Sequence, residues 1–91
     1  MDQLFSLMER FAPEALELMI VRYQILRQVF YQEPIGRRQI SKSLGYPERT
    51  VRSEVETLRT KGALYTTAAG IFLTSYGQSL LREIDQYIPF L

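Results

Sequence analysis

Residues 36–61 read GRRQISKSLGYPERTVRSEVETLRTK, and this stretch decides the fold. Its apolar residues recur at helical spacing in two short runs. Gly45 separates the runs, because glycine readily ends a helix, and Pro47 is favoured where the next helix opens. The sequence therefore predicts a helix over 37–44 and a second helix over about 47–61, joined by a tight turn.

The second predicted helix is amphipathic. Val51, Val55 and Leu58 form its apolar stripe, which we expect to face the core. The opposite, solvent-facing side carries Arg49, Ser53, Glu56 and Thr60. Glu54 and Glu56 are two residues apart and so point to different faces, which makes them a poor pair of catalytic carboxylates.

A short hairpin and a final helix are predicted after this pair of helices. Residues 63–67 and 71–73 have β-forming side chains on either side of a small-residue turn. Thr74 is a good N-cap for the last helix, and Gly77 is expected to weaken its opening turn.

Two further helices are predicted upstream. The first covers about 4–11 and ends before Pro13, and the second runs from 14 to 31. One stripe of the second helix contains Leu16, Ile20, Tyr23, Leu26 and Phe30, and a neighbouring stripe contains Leu18, Val21, Ile25 and Val29. We expect one stripe to pack on the core and the other on a neighbouring helix or a partner chain.

Composition limits what the chain can be. The 91 residues are 46% apolar, enough for one small core, so we expect a single domain over 1–91. Cysteine and histidine are absent, which excludes thiolate metal sites and histidine catalysis, and no glycine-rich phosphate loop is present. We therefore expect a mainly α winged helix-turn-helix with a small β-hairpin, without enzymatic activity, cofactor or metal.

Charge is unevenly distributed. Residues 36–61 contain seven basic and three acidic residues, whereas the rest of the chain contains four basic and seven acidic ones. A basic segment in a nearly neutral chain is typical of a surface that binds a polyanion, although it is also compatible with an ordinary solvated helix surface.

The chemistry of DNA recognition suggests roles for individual residues. For reading base edges in the major groove from the second helix, we expect Glu48, Arg49, Thr50, Arg52 and Ser53. For contacting phosphates, we expect Arg37, Arg38, Ser41, Lys42, Thr66 and Thr67. The alternative is that Arg49 and Arg52 pair with Glu48, Glu56 or other surface acids. The hairpin tip has no cation, so it either touches phosphate through hydroxyls and amides or only covers the core.

The sequence also resembles a known family. The matching residues are Glu33-Pro34-Ile35-Gly36-Arg37-Arg38, then Ser41, Leu44-Gly45, Glu48-Arg49, Val51-Arg52, Glu54 and Leu58, and finally Leu73-Thr74, Gly77 and Leu80-Leu81. With them, the chain resembles the N-terminal DNA-binding domain of SorC-family transcriptional repressors, in the branch that controls glycolytic genes. The resemblance implies a repressor that binds double-stranded operator DNA and carries a C-terminal sugar-phosphate effector domain. We expect it in the cytoplasm, because the sequence has no cysteine and does not begin like a secretory signal.

Three functions remain open at this point. The favoured one is operator reading by the N-terminal fragment of a longer regulator, a homo-oligomer in its intact form that does not bind membranes. A second is a protein–protein interaction module, since winged helices also serve that purpose. A third is a complete small dimeric regulator.

Overall fold

The computed structural model describes residues 2–14 and 16–88, and its elements follow the predicted order. The helices are α1 (Asp2–Phe11), α2 (Leu16–Gln32), α3 (Arg37–Leu44), α4 (Glu48–Thr60) and α5 (Ser75–Asp85), and the strands are β1 (Leu64–Thr67) and β2 (Gly70–Leu73). The predicted winged helix-turn-helix, mainly α with one hairpin, is confirmed.

The turn between α3 and α4 is held from both sides. Gly45 ends α3 in the left-handed conformation, with φ 78°, and its N–H donates to the carbonyl of Ser41 at 2.9 Å. The hydroxyl of Ser41 in turn donates to the carbonyl of Tyr46. The hydroxyl of Tyr46 donates to Oε1 of Gln24 on α2. These bonds tie the turn to α3 and to the long helix behind it.

Strand β2 pairs with the chain on both of its sides. β1 and β2 pair antiparallel, and Ile35, between α2 and α3, forms a further antiparallel bridge with Ile71. Tyr65 and Phe72 face each other across the hairpin with their rings stacked at 5.2 Å. The wing is thereby joined to the segment that leads into α3.

The start of α5 lies unusually close to the chain before β1. As predicted, Thr74 is the N-cap, and its hydroxyl oxygen accepts the N–H of Gly77 at 2.9 Å. A Cβ atom at Gly77 would lie 2.1 Å from the carbonyl oxygen of Ala63. Glycine at this position therefore allows α5 to approach the wing, a requirement that outweighs its low helix propensity.

The inward side of α2 draws on both predicted stripes. Leu16 and Phe30, the two ends of one stripe, are 42% and 46% exposed, whereas Leu26 of that stripe and Val29 of the other are buried. The buried row instead includes Arg22, Leu26 and Val29, which are spaced i, i+4 and i+7. The apolar pattern alone does not show this row, because an arginine with internal partners occupies one of its inward positions.

All five helices and the hairpin contribute to the core. Its fully buried members include Leu7, Phe11, Met19, Ile25, Leu26, Val29, Ile40, Val51, Val55, Leu58, Ala63 and Ile84. In the part of the chain that the structure describes, no helix is long and apolar enough to cross a bilayer.

Candidate nucleic-acid interface

Helix α4 presents the two sides that its sequence predicted. Val51, Val55 and Leu58 are completely buried, whereas Arg49 and Arg52 are exposed. Ser53 is also exposed, and Thr50 is half-buried. An exposed side with two arginines and a serine therefore lies opposite the apolar stripe.

Neither arginine on this side is neutralised by a nearby acid. Among residues 2–14 and 16–88, the ion pairs of this region join Glu48 to Arg38 and Glu56 to Arg59, and none includes Arg49 or Arg52. The alternative that these two arginines pair with surface acids does not hold within those ranges. Their guanidinium groups are available to an external acceptor.

Two residues with different predicted roles contact each other. Nε of Arg38 donates to Oε1 of Glu48 at 3.1 Å, with side chains that are 87% and 50% exposed. A pair this exposed contributes only about 0–1 kcal/mol, so contact with DNA can replace it. Within the described residues, Arg38 uses one of its five N–H groups in this bond, which leaves the others available to an external acceptor.

Helices α3 and α4 pack against each other, and the ion pair between Arg38 and Glu48 joins their first turns. The hydrogen bond from Arg59 lowers the pKa of Glu56, and the charge of Arg37 adds to the effect. We call Arg37, Arg38, Lys42, Arg49 and Arg52 the basic face. It combines the exposed side of α4 with the cations of the neighbouring helix.

Both helices of the pair begin without a side-chain cap. Gly36 is the N-cap of α3 and Pro47 that of α4, and neither side chain accepts a hydrogen bond from the first-turn amides. Arg37 and Arg38 occupy the positive end of the α3 dipole, where each cation is unfavourable by about 0.3–1 kcal/mol. Uncapped amides and paired cations together favour an anion such as a backbone phosphate.

Two of the three hydroxyl groups predicted to contact phosphate already form hydrogen bonds within the protein. The Ser41 proton is used in the α3–α4 turn, so donation to a phosphate requires that bond to break. Thr67 Oγ1 accepts the N–H of Ala69 at 3.1 Å and donates to the carbonyl of Gly70 at 3.3 Å, which closes the hairpin turn. Thr66 is exposed, and no hydrogen bond of its hydroxyl occurs within the described ranges.

Sequence reasoning missed a buried ion pair behind α4. Arg22 is 1% exposed, and its Nε donates to Oε1 of Glu54 at 2.6 Å. Its other nitrogens donate to the carbonyl of Phe11 at 2.6 Å and to Glu14 at 2.9 and 3.2 Å. Burial disfavours the charge, but the hydrogen bonds to Glu14 and Glu54 outweigh it and raise the pKa of Arg22.

A signal for this pair was present in the sequence. Arg22 interrupts the apolar pattern of α2 at an inward position, and Glu54 adjoins the buried Val55 on α4. Opposite charges at two inward positions indicate a buried pair, although local spacing cannot say that they meet. Among the described residues, no three potential metal-ligating side chains come together.

Comparison with known proteins agrees with this geometry. The chain is 38% identical over 86 residues to the Central glycolytic genes regulator of Priestia megaterium (strain DSM 319 / IMG 1521), a match that covers 94% of the chain and 25% of the relative. It is 36% identical over 85 residues to the protein of the same name from Bacillus subtilis (strain 168), covering 93% of the chain and again 25% of the relative. The chain thus spans a quarter of the length of these relatives, and the predicted resemblance is confirmed. Because residues 18–88 match the family described as the CggR N-terminal DNA binding domain, the chain belongs to that family of DNA-binding domains.

Proposed function

We propose that this domain reads the operator of a bacterial repressor that controls a glycolytic or sugar-metabolism operon, with α4 in the major groove. The observation that carries the proposal is the pair of exposed arginines, Arg49 and Arg52, on the side of α4 opposite its buried stripe. Arginine can donate two hydrogen bonds to one guanine and so distinguish it from the other bases. The names of the two relatives supply the operon class.

We divide the predicted contact residues into a base-reading group and a phosphate-binding group. Base edges are read by Arg49, Arg52 and Ser53, with Thr50 and Glu48 at the margin of the contact. Phosphates are held by Arg37, Arg38 and Lys42 and by the hydroxyl of Thr66, and Ser41 and Thr67 join them only if their internal hydrogen bonds are exchanged. Phosphate contacts then set the register of α4, and the arginines supply the sequence preference.

A longer protein completes this function. The relatives are about four times as long as the matched segment. We assign sugar-phosphate sensing and homo-oligomerisation to the part beyond this domain, where assembly would place two reading heads on two half-sites. In this scheme the domain has no catalytic role and works on DNA in the cytoplasm.

Selection from a randomised DNA duplex library tests the proposal, because the protein itself then picks out the sequence that it prefers. The wild-type domain should enrich a preferred duplex and bind it at least tenfold more tightly than a shuffled duplex by fluorescence anisotropy. Arg49→Ala should weaken binding to the preferred duplex by about 1–3 kcal/mol and relax the base preference. Arg38→Ala should weaken both duplexes alike.

Arg82→Ala is the matched control, because it removes the same charge from an exposed position on α5. It should leave the preference unchanged. Equal losses on both duplexes for Arg49→Ala would contradict base reading by that residue. A folded wild-type domain that binds neither duplex at low salt would instead favour the protein-interaction module.

A further inference from the structure

The buried guanidinium of Arg22 holds α4 from the side opposite its exposed arginines. Glu54 follows Arg52 by two residues and Arg49 by five, which places it about 160° and 140° away around the helix at roughly 100° per residue. Its carboxylate receives the Arg22 Nε–H at 2.6 Å. Arg22 is itself held by Glu14 and by the carbonyl of Phe11, at the junction of α1 and α2.

Apolar packing alone defines the rotation of α4 weakly. Val51, Val55 and Leu58 are similar in size and recur along one stripe, and the burial of apolar surface has no preferred direction. The bond between Glu54 and Arg22 is directional, and a buried carboxylate without its partner is strongly unfavourable. The ion pair therefore adds a directional restraint on the rotation of α4 to the packing of its apolar stripe.

A small rotation is sufficient to disturb base recognition. Side chains end about 5–6 Å from a helix axis, so a rotation of about 10° moves a surface group by about 1 Å. Hydrogen bonds to base edges form over a donor–acceptor range of only about 2.7–3.2 Å. Contacts with phosphates are less demanding, because long flexible cations can follow a displaced oxygen.

We propose that Arg22 and Glu54 are positioning residues that set the rotation of α4, and through it the sequence preference of Arg49 and Arg52. The inference rests on the proposed function, since it presupposes that α4 reads bases. It assigns to this buried pair a role in specificity that is separable from its contribution to folding.

The test compares an apolar replacement with one that keeps the hydrogen bond. Arg22→Met combined with Glu54→Leu removes both charges, leaves the net charge unchanged and fills similar volume, an exchange that is often neutral or stabilising for a buried pair. Glu54→Gln keeps an Oε1 acceptor for Arg22. Arg10→Gln with Glu83→Gln is the matched control, because it removes a 2.8 Å ion pair between α1 and α5 that does not involve α4.

Each protein is checked by thermal melting and then titrated, by anisotropy, with the duplex that the wild type selects and with its shuffled form. In the apolar double variant, the Kd for the shuffled duplex divided by the Kd for the selected duplex should fall at least tenfold. Affinity for the shuffled duplex should stay within about threefold of the wild-type value, because no cation of the basic face has changed. Glu54→Gln and the control pair should keep the wild-type ratio within about threefold.

Two results would overturn the inference in distinguishable ways. A folded apolar variant with the wild-type ratio shows that the pair does not position α4, while operator reading stands. A wild-type domain without any preference removes the proposed function and this inference with it. If the double variant does not fold, Glu54→Leu replaces it, since Arg22 keeps its bonds to Glu14 and Phe11. Its net charge is one higher, so only the ratio of the two Kd values is compared, and the same fall of at least tenfold is expected.

Discussion

Replacement of Gly77 by alanine places a methyl group where the structure has almost no space. The added Cβ would lie 2.1 Å from the carbonyl oxygen of Ala63 and 2.8 Å from Cδ1 of Leu73. The leucine side chain can rotate away, but the carbonyl belongs to the backbone before β1. That carbonyl also accepts the N–H of Thr74 at 3.1 Å, so its displacement weakens the junction between the wing and α5.

The expected loss follows from three contributions. A close carbon–oxygen contact is normally about 3.3–3.6 Å, so the two groups must separate by more than about 1 Å. Insertion of a methyl group into packed structure costs about 1–3 kcal/mol, and weakening of the hydrogen bond from Thr74 adds about 0.5–1.5 kcal/mol. Alanine regains about 1 kcal/mol of helix propensity. We therefore expect Gly77→Ala to lower the free energy of unfolding by about 2 kcal/mol.

Urea denaturation followed by circular dichroism measures this difference. Gly36→Ala is the matched control, because a Cβ there meets no atom within 4 Å and the backbone has an ordinary φ of −91°. It should change the free energy of unfolding by less than about 1 kcal/mol, because alanine is a poorer N-cap than glycine but has less conformational freedom in the unfolded chain. A Gly77→Ala protein as stable as the wild type would refute the close approach of α5 to Ala63.

Three further substitutions test the polar contacts. The hydrogen bond from Arg22 lowers the pKa of Glu14, so this carboxylate stabilises the fold above its usual pKa and stops doing so as the pH falls through the lowered value. Glu14→Gln should therefore be less stable at neutral pH, and its stability should change less with pH in acid denaturation. Burial and the hydrogen bond to Asp85 raise the pKa of Tyr23, so its neutral hydroxyl stabilises the fold until the pH rises through the raised value. Tyr23→Phe should lower the free energy of unfolding by about 1 kcal/mol at neutral pH. It should also lose less stability than the wild type when melting is followed above pH 10.0. Glu48 pairs with Arg38 at the margin of the proposed base contact, so Glu48→Ala should change the base preference less than Arg49→Ala does in the duplex selection.

The helix-turn-helix was predictable because its limits are set by local chemistry. Gly45 and Pro47 end one helix and open the next, and the predicted range 47–61 differs by one residue at each end from the observed Glu48–Thr60. The hairpin followed in the same way from β-forming residues on either side of a small-residue turn. Signals of this kind act within a few residues and so do not depend on the tertiary structure.

The polar contacts between helices were not predictable from spacing. Arg22 and Glu54 are 32 residues apart, and Arg38 and Glu48 lie on different helices. A periodic pattern assigns a face to each residue but does not say which faces meet. An arginine also counts as polar in such a pattern, so the pattern did not place Arg22 on the inward side of α2.

The salt dependence of DNA binding follows from how the charges are distributed. Three arginines form ion pairs within the protein. Arg10 pairs with an acid on α5, Arg22 with one on α4 and one before α2, and Arg59 with Glu56. The hairpin, residues 64–73, contains no Lys or Arg. Lys61 donates to the carbonyl of Arg10, and Arg27 and Arg82 lie on α2 and α5, outside the helix-turn-helix. We therefore assign DNA contact to the cations of the basic face, Arg37, Arg38, Lys42, Arg49 and Arg52.

The two roles proposed for these cations predict different salt slopes. Each phosphate contact contributes about −0.9 to the slope of log K against log salt concentration. Five phosphate contacts would give about −4.5 for one bound domain, whereas three, with Arg49 and Arg52 on bases, would give about −2.7. We expect a slope of about −2.7 for the selected duplex. Arg38→Ala should make the slope shallower by about one unit, and Arg49→Ala should change it little. A slope steeper than about −5 for a single bound domain would mean that cations outside the basic face contact DNA, and would contradict the assignment.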